Sequence, residues 1–133
     1  MLDSQAVSAL ADGARGMAER LEAARRLDAR VVIPCVVLAE VMTGGAEDAS
    51  IWNVLRRFPV IDLDTGLSAR AGGLRQRAER ARRKKRDLTL DALVAAVAVR
   101  VKPAVVITTD PEDFGLLLDG HDVKIDTISR ALN

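Results

Sequence analysis

The sequence predicts an α/β domain built on a largely parallel sheet with helices on both faces. Three observations carry that prediction. Strand-like and helix-like segments alternate along the chain, which is the pattern of repeated right-handed strand–helix–strand crossovers. The run Val105-Val106-Ile107 is apolar at every position, as a strand covered on both faces should be. The length, 133 residues, suits a single domain over 1–133 that buries about two thirds of its unfolded surface.

The elements follow in order. Met1-Leu2 is a strand stub that leads into a short helix from Gln5 to Ala11, broken by Asp12-Gly13. Met17 to Leu27 is a helix, with Met17, Leu21, Ala24 and Leu27 at three- and four-residue spacing. Arg30 to Ile33 is a β-branched strand. Pro34 fits the first turn of the next helix, which ends at Gly44-Gly45. Asp48 to Phe58 is a helix with Ile51, Val54, Leu55 and Phe58 on one face. Pro59 turns the chain into a strand from Val60 to Leu63. Thr65 caps a helix that runs to about Ala81. Thr89 to Val101 is helical, with Leu90, Leu93, Val94, Val97 and Val101 as its apolar stripe, and Lys102-Pro103 ends it. Ala104 to Thr108 is a strand, Pro111 to Leu118 a helix, and Val123 to Ile125 the fifth strand. Trp52, Phe58 and Phe114 all fit core positions.

Composition removes several chemistries. One Cys excludes an intramolecular disulfide and a Cys-rich zinc site, and one His excludes a multi-His metal site. The absence of Tyr removes phenolic chemistry. No apolar run approaches the ~20 residues that span a bilayer, and no basic segment followed by an apolar one opens the chain, so the cytoplasm is the expected compartment, with no membrane partner. The formal net charge of +1 conceals a segregation. Residues 75–86 hold eight of the 20 bases and one of the 19 acids, which leaves the rest of the chain acidic by six charges.

Those acids are not scattered at random over the predicted elements. Asp3 follows the first strand, where a helix cap is the ordinary use of Asp. Asp91 lies in the first turn of its helix, where the helix dipole favours a carboxylate. Asp110, before Pro111-Glu112-Asp113, has the makings of a cap as well. Glu40 is the one charge in Cys35-Val36-Val37-Leu38-Ala39-Glu40-Val41-Met42. A helix so apolar is expected to be buried all round, and a buried carboxylate needs a cation or an Arg partner. Helices here run antiparallel to the strands, so helix first turns share an edge with strand carboxyl ends, where such sheets bind ligands. All four acids can converge on that edge. Four like charges in one cleft call for a divalent ion, and an all-carboxylate donor set selects a hard one, Mg²⁺ or Mn²⁺. Such an ion serves phosphodiester hydrolysis.

With these residues assembled, the chain resembles the PIN domains, and among them the VapC-type toxins of bacterial toxin–antitoxin pairs. The matching segments are Leu2-Asp3-Ser4, Leu38-Ala39-Glu40-Val41, Leu90-Asp91-Ala92-Leu93-Val94-Ala95-Ala96 and Thr108-Thr109-Asp110-Pro111-Glu112-Asp113-Phe114. They occur in the family's order and spacing over nearly the whole chain. The resemblance implies a PIN-like three-layer sandwich with a five-stranded parallel sheet in order 3-2-1-4-5. It implies a metal-dependent endoribonuclease silenced by a cognate antitoxin, and a homodimer. It also implies that Asp3 and Asp91 are the principal metal ligands, that Glu40 and Asp110 complete an acidic catalytic quartet, and that Asp113 contributes at its margin. Gln5 departs from the pattern, standing where Ser, Thr or Asn is commoner.

The basic run Arg82, Arg83, Lys84, Lys85 and Arg86 reads either as a solvated loop or as an RNA phosphate clamp beside the cleft. Aromatic residues are too few for a base-stacking platform, so recognition should lean on backbone charge and RNA shape. A phospho-receiver domain would also cluster acids on an α/β sheet, but it needs a Lys after the last strand. Here Lys102-Pro103 precedes one. A PIN-like RNA-binding or RNA-processing module that is not a toxin is the remaining alternative.

Overall fold

The computed structural model describes residues 1–81 and 86–128. Its elements are α1 (Ser4–Ala11), α2 (Met17–Arg26), β1 (Ile33–Pro34), a 3-10 turn (Cys35–Val37), α3 (Leu38–Val41), α4 (Asp48–Leu55), β2 (Val60–Ile61), α5 (Thr65–Ala81), α6 (Thr89–Val101), β3 (Ala104–Thr108), α7 (Pro111–Leu117) and β4 (Val123–Thr127). Among the described residues the assigned strands form two parallel pairs, β1 with β2 and β3 with β4. The Met1–Asp3 segment lies between them. The Leu2 amide donates to the Val32 carbonyl at 3.1 Å, and the Asp3 amide to the Ile107 carbonyl at 3.3 Å. Leu2 and Ile107 form an isolated parallel bridge. β1 and β2 are shorter than the sequence suggests, because Arg30 and Val31 on one side and Asp62 and Leu63 on the other do not pair, whereas β3 has the expected bounds and β4 runs on to Thr127.

The core is aliphatic. Leu2, Val7, Ile33, Val37, Leu67, Leu88, Phe114 and Leu117 are all buried, and α6 runs through the middle of them. In α6 the apolar stripe is only part of the story: Ala92 and every residue from Val94 to Val99 are buried, while Leu90 and Val101 at the ends are exposed. The alanines between the stripe positions make a narrow helix that neighbours can approach from several sides. Against it lies α5, which buries Leu67, Ala71, Leu74 and Ala78 at helical spacing. The two helices are also pinned at one end. Asp64 accepts from the Leu67 amide at the start of α5 (2.8 Å) and from Arg100 near the end of α6 (2.5 and 3.1 Å). A second tie joins Arg20 of α2 to Asp126 of β4 at 3.0 Å.

Several sequence expectations change. Val105 is 43% exposed, so β3 is covered on one face only at that position, and its burial alternates through Val106 and Thr108. Trp52 is 51% exposed rather than in the core. It sits one position after Ile51 on α4, and that one step of about 100° turns it off the buried stripe of Ile51 and Val54. The Asp48 helix stops at Leu55, three residues before Phe58. Pro34 closes β1 instead of opening a helix, and the segment after it makes one 3-10 turn and one α turn, ending at Val41. No helix among the described residues is long and apolar enough to cross a membrane.

Candidate metal centre

The five predicted acids are delivered by four pieces of backbone. Asp3 ends the Met1–Asp3 segment and caps α1: its Oδ1 accepts from the Ala6 amide at 2.8 Å, and the residue is 4% exposed. Asp91 stands in the first turn of α6, and Glu40 is in the single turn of α3. Asp110 precedes α7, with Pro111 at the first helical position as the sequence suggests. The side chain of Asp110, however, makes no capping hydrogen bond. Its carboxylate is left for something other than the helix. Asp113, in the first turn of α7, is 1% exposed.

The carboxylates of Asp91, Asp110 and Asp113 each place an oxygen within 4.8 Å of the other two. That spacing suits three oxygens around one hard cation. Asp3 and Glu40 lie outside this tight group and are felt by it through charge: both raise the Asp91 carboxyl. Asp91 is pushed up to about 6, first by burial, then by Glu40, with Asp3 and Asp110 adding and Arg86 opposing. Asp3 is raised too, chiefly by burial, against hydrogen bonds from Thr108 and Ala6 that hold it down. Burial and neighbouring like charge both disfavour the ionised form of these carboxylates, a cost that a bound cation offsets. The donor set therefore fits a divalent metal: all oxygen, crowded, and partly shielded from water.

Glu40 needs a correction. It is exposed, as is Ala39, because the helix that carries it is one turn long and open on that side. The burial argument that singled it out from sequence does not hold, although its charge still reaches Asp3 and Asp91.

Two residues near the acids carried no role in the sequence reading. Thr108, fully buried at the end of β3, accepts from the Asp110 amide at 2.9 Å, and its side chain also hydrogen-bonds the Asp3 carboxylate. One hydroxyl thus links two acids that are over a hundred positions apart in the chain. Gln5 of α1 accepts from the Thr109 amide at 3.2 Å and from the Thr109 hydroxyl, which fastens the β3–α7 connection to the start of α1. The available signal was local: Thr108-Thr109 leads directly into Asp110 at a strand end.

Of the basic run, Arg82, Arg83, Lys84 and Lys85 lie outside the described residues. Arg86 is described, and it turns toward the acids. Its Nη1 is 3.4 Å from Asp110 Oδ2 and 3.4 Å from Asp113 Oδ2.

Comparison with known proteins gives one family. The PIN domain matches residues 1–115, from the Met1–Asp3 segment into α7. No curated protein matches the chain.

Proposed function

The chain belongs to the PIN domain family, whose members are in general metal-dependent nucleases, and from that premise we propose that it is a Mg²⁺- or Mn²⁺-dependent endoribonuclease acting as the toxin of a toxin–antitoxin pair. The observation that carries the reading is the meeting of Asp91, Asp110 and Asp113 within 4.8 Å, with Asp3 and Glu40 close enough to shift Asp91. In this proposal one domain spans 1–133. Its Met1–Asp3 segment is the central strand of a parallel sheet in order 3-2-1-4-5 within a three-layer sandwich. The hydrogen bonds of that segment to Val32 and Ile107 support the order.

Asp91, Asp110 and Asp113 hold the ion. Asp3 adds charge from the neighbouring strand end, fixed in direction by the Ala6 amide and the Thr108 side chain. Glu40, open to solvent, stands where an incoming water can be oriented and relieved of a proton. When bound, the ion supplies positive charge against the phosphodiester and lowers the pKa of water. The basic residues Arg82, Arg83, Lys84, Lys85 and Arg86 draw the RNA backbone to an otherwise acidic surface. The same acids suit an Arg of a cognate antitoxin, whose planar fork matches carboxylates. A homodimer belongs to the proposal on the family resemblance.

Incubation of total cellular RNA with the protein, with and without Mg²⁺ or Mn²⁺, is the direct test, with Asp91→Asn as the control. Cleavage that needs the metal and is lost in Asp91→Asn is expected. No metal-dependent cleavage, or equal cleavage by Asp91→Asn, would overturn the nuclease assignment. Cleavage in vitro without growth arrest on expression would favour the RNA-processing alternative over a toxin.

A further inference from the structure

The side chain that lies against the candidate ligands is itself a cation. Arg86 Nη1 is 3.4 Å from Asp110 Oδ2 and the same distance from Asp113 Oδ2, so one guanidinium nitrogen straddles two of the three clustered carboxylates. It also pulls down the Asp91 carboxyl that its acidic neighbours raise. Arg86 is only five residues before Asp91, just ahead of α6, and it is 58% exposed. The rest of its guanidinium faces water, and no backbone carbonyl receives it among the described residues. Two distances of 3.4 Å are long for an Arg–carboxylate pair, whose close forms lie at ~2.7–2.9 Å. The contact is electrostatic rather than a locked fork, and it can be exchanged.

We propose that Arg86 is an internal stand-in for the metal: its guanidinium neutralises Asp110 and Asp113 in the metal-free protein and is displaced outward when the divalent ion binds. This rests on the metal-centre reading and adds a regulation to it. A guanidinium and a divalent cation held by the same two carboxylates repel each other, so the two occupancies compete. The contact offsets part of the cluster's negative charge when metal is scarce. It also sets metal affinity below what the carboxylates alone would give. Once displaced, the guanidinium swings from the acids toward solvent on the side where a phosphate anion arrives, since a short tether to α6 keeps it at the rim of the site. Metal binding then converts Arg86 from a partner of carboxylates into a partner of phosphate, and the acidic cleft becomes permissive for an anionic substrate only when the ion is present.

Mn²⁺ titration by calorimetry of the full chain, with no RNA present, tests this without relying on activity. The proteins are the wild type, Arg86→Gln, Arg86→Lys and Arg15→Gln. Arg15 is exposed in the α1–α2 turn, so its variant removes one charge away from the site. Arg86→Gln should bind Mn²⁺ roughly two- to fivefold more tightly, the size expected for release from a partly exposed ion pair, and its metal-free form should melt at a lower temperature. Arg86→Lys should fall between Arg86→Gln and wild type, and Arg15→Gln should match wild type. Unchanged or weaker Mn²⁺ binding by a folded Arg86→Gln overturns the displacement, as does an equal gain in Arg15→Gln, which would make the effect one of net charge. If wild type binds no Mn²⁺, the metal-centre reading itself fails and the displacement falls with it. The two failures are therefore distinct in one data set.

Discussion

At the residue scale the centre works against the fold that builds it. Asp91 is held at about 6 against an ordinary 3.8, first by burial and next by Glu40. A carboxyl raised in the folded state weakens the metal-free fold wherever it is ionised. That penalty is fully present above about pH 6 and disappears as the pH falls toward 3.8. Asp91→Asn should therefore abolish metal-dependent RNA cleavage while stabilising the metal-free protein by roughly 1–2 kcal/mol near neutral pH, a figure already discounted for partial solvent screening. Denaturation in the presence of a chelator at pH 7.5 and at pH 4.5 measures both the size and the sign. The gain should be large at the higher pH and small at the lower. Asp3 differs because its carboxylate also caps α1 through Ala6. Asp3→Asn keeps a capping oxygen, so its melting temperature should change little while activity falls roughly a hundredfold or more, as judged by RNA cleavage and circular dichroism on the same sample.

At the element scale, the site is carried by first turns and strand ends, and it is the packing of α5 on α6 that holds Asp91 in place. The Asp64–Arg100 clamp joins those helices at the end away from Asp91. Arg100 holds the Asp64 carboxyl well below its ordinary value, at about 2, with the Leu67 amide helping. A lowered carboxyl stabilises the fold above its unfolded value of about 3.8, and that contribution is lost as the pH falls through about 2. Asp64→Asn should consequently fall below wild type in stability at neutral pH and converge on it as the pH drops below about 2. Both partners are about half exposed, so the difference should shrink at high salt. The same helix has room for improvement. Gly73 is exposed in the middle of α5, and a methyl group there meets nothing within 4 Å. Gly73→Ala should raise stability by about 0.5–1 kcal/mol through helix propensity alone. Its Mn²⁺ affinity should stay that of wild type, since it touches no ligand.

At the scale of the whole molecule, the charge segregation should govern RNA affinity. The basic stretch 75–86 stands against an acidic remainder, and only its electrostatics can favour a polyanion. Replacing Arg82, Arg83, Lys84 and Lys85 together by Ser should weaken RNA binding and flatten the slope of log K against log salt, because fewer counterions are released. An unchanged slope would make that segment a solvated loop. Much of the molecule was legible without coordinates. The alternation of helices with short parallel strands, the bounds of the Thr65–Ala81 and Thr89–Val101 helices, and the placing of Asp3 at a helix cap and of Asp91, Asp110 and Asp113 in or just before helix first turns all follow from local periodicity and capping preferences, which the sequence carries within a few residues. The exposure of Glu40, Trp52 and Val105 did not follow, since burial depends on which neighbours arrive from distant parts of the chain. The centre itself is of that second kind. Composition could say that several carboxylates meet. Only the tertiary structure decided that Asp113 sits inside the tight group while Asp3 and Glu40 act on it by charge, that Thr108 joins Asp3 to Asp110, and that Arg86 turns inward. Distances of a few ångströms between residues far apart in the chain are set by packing, to which local sequence preference is blind.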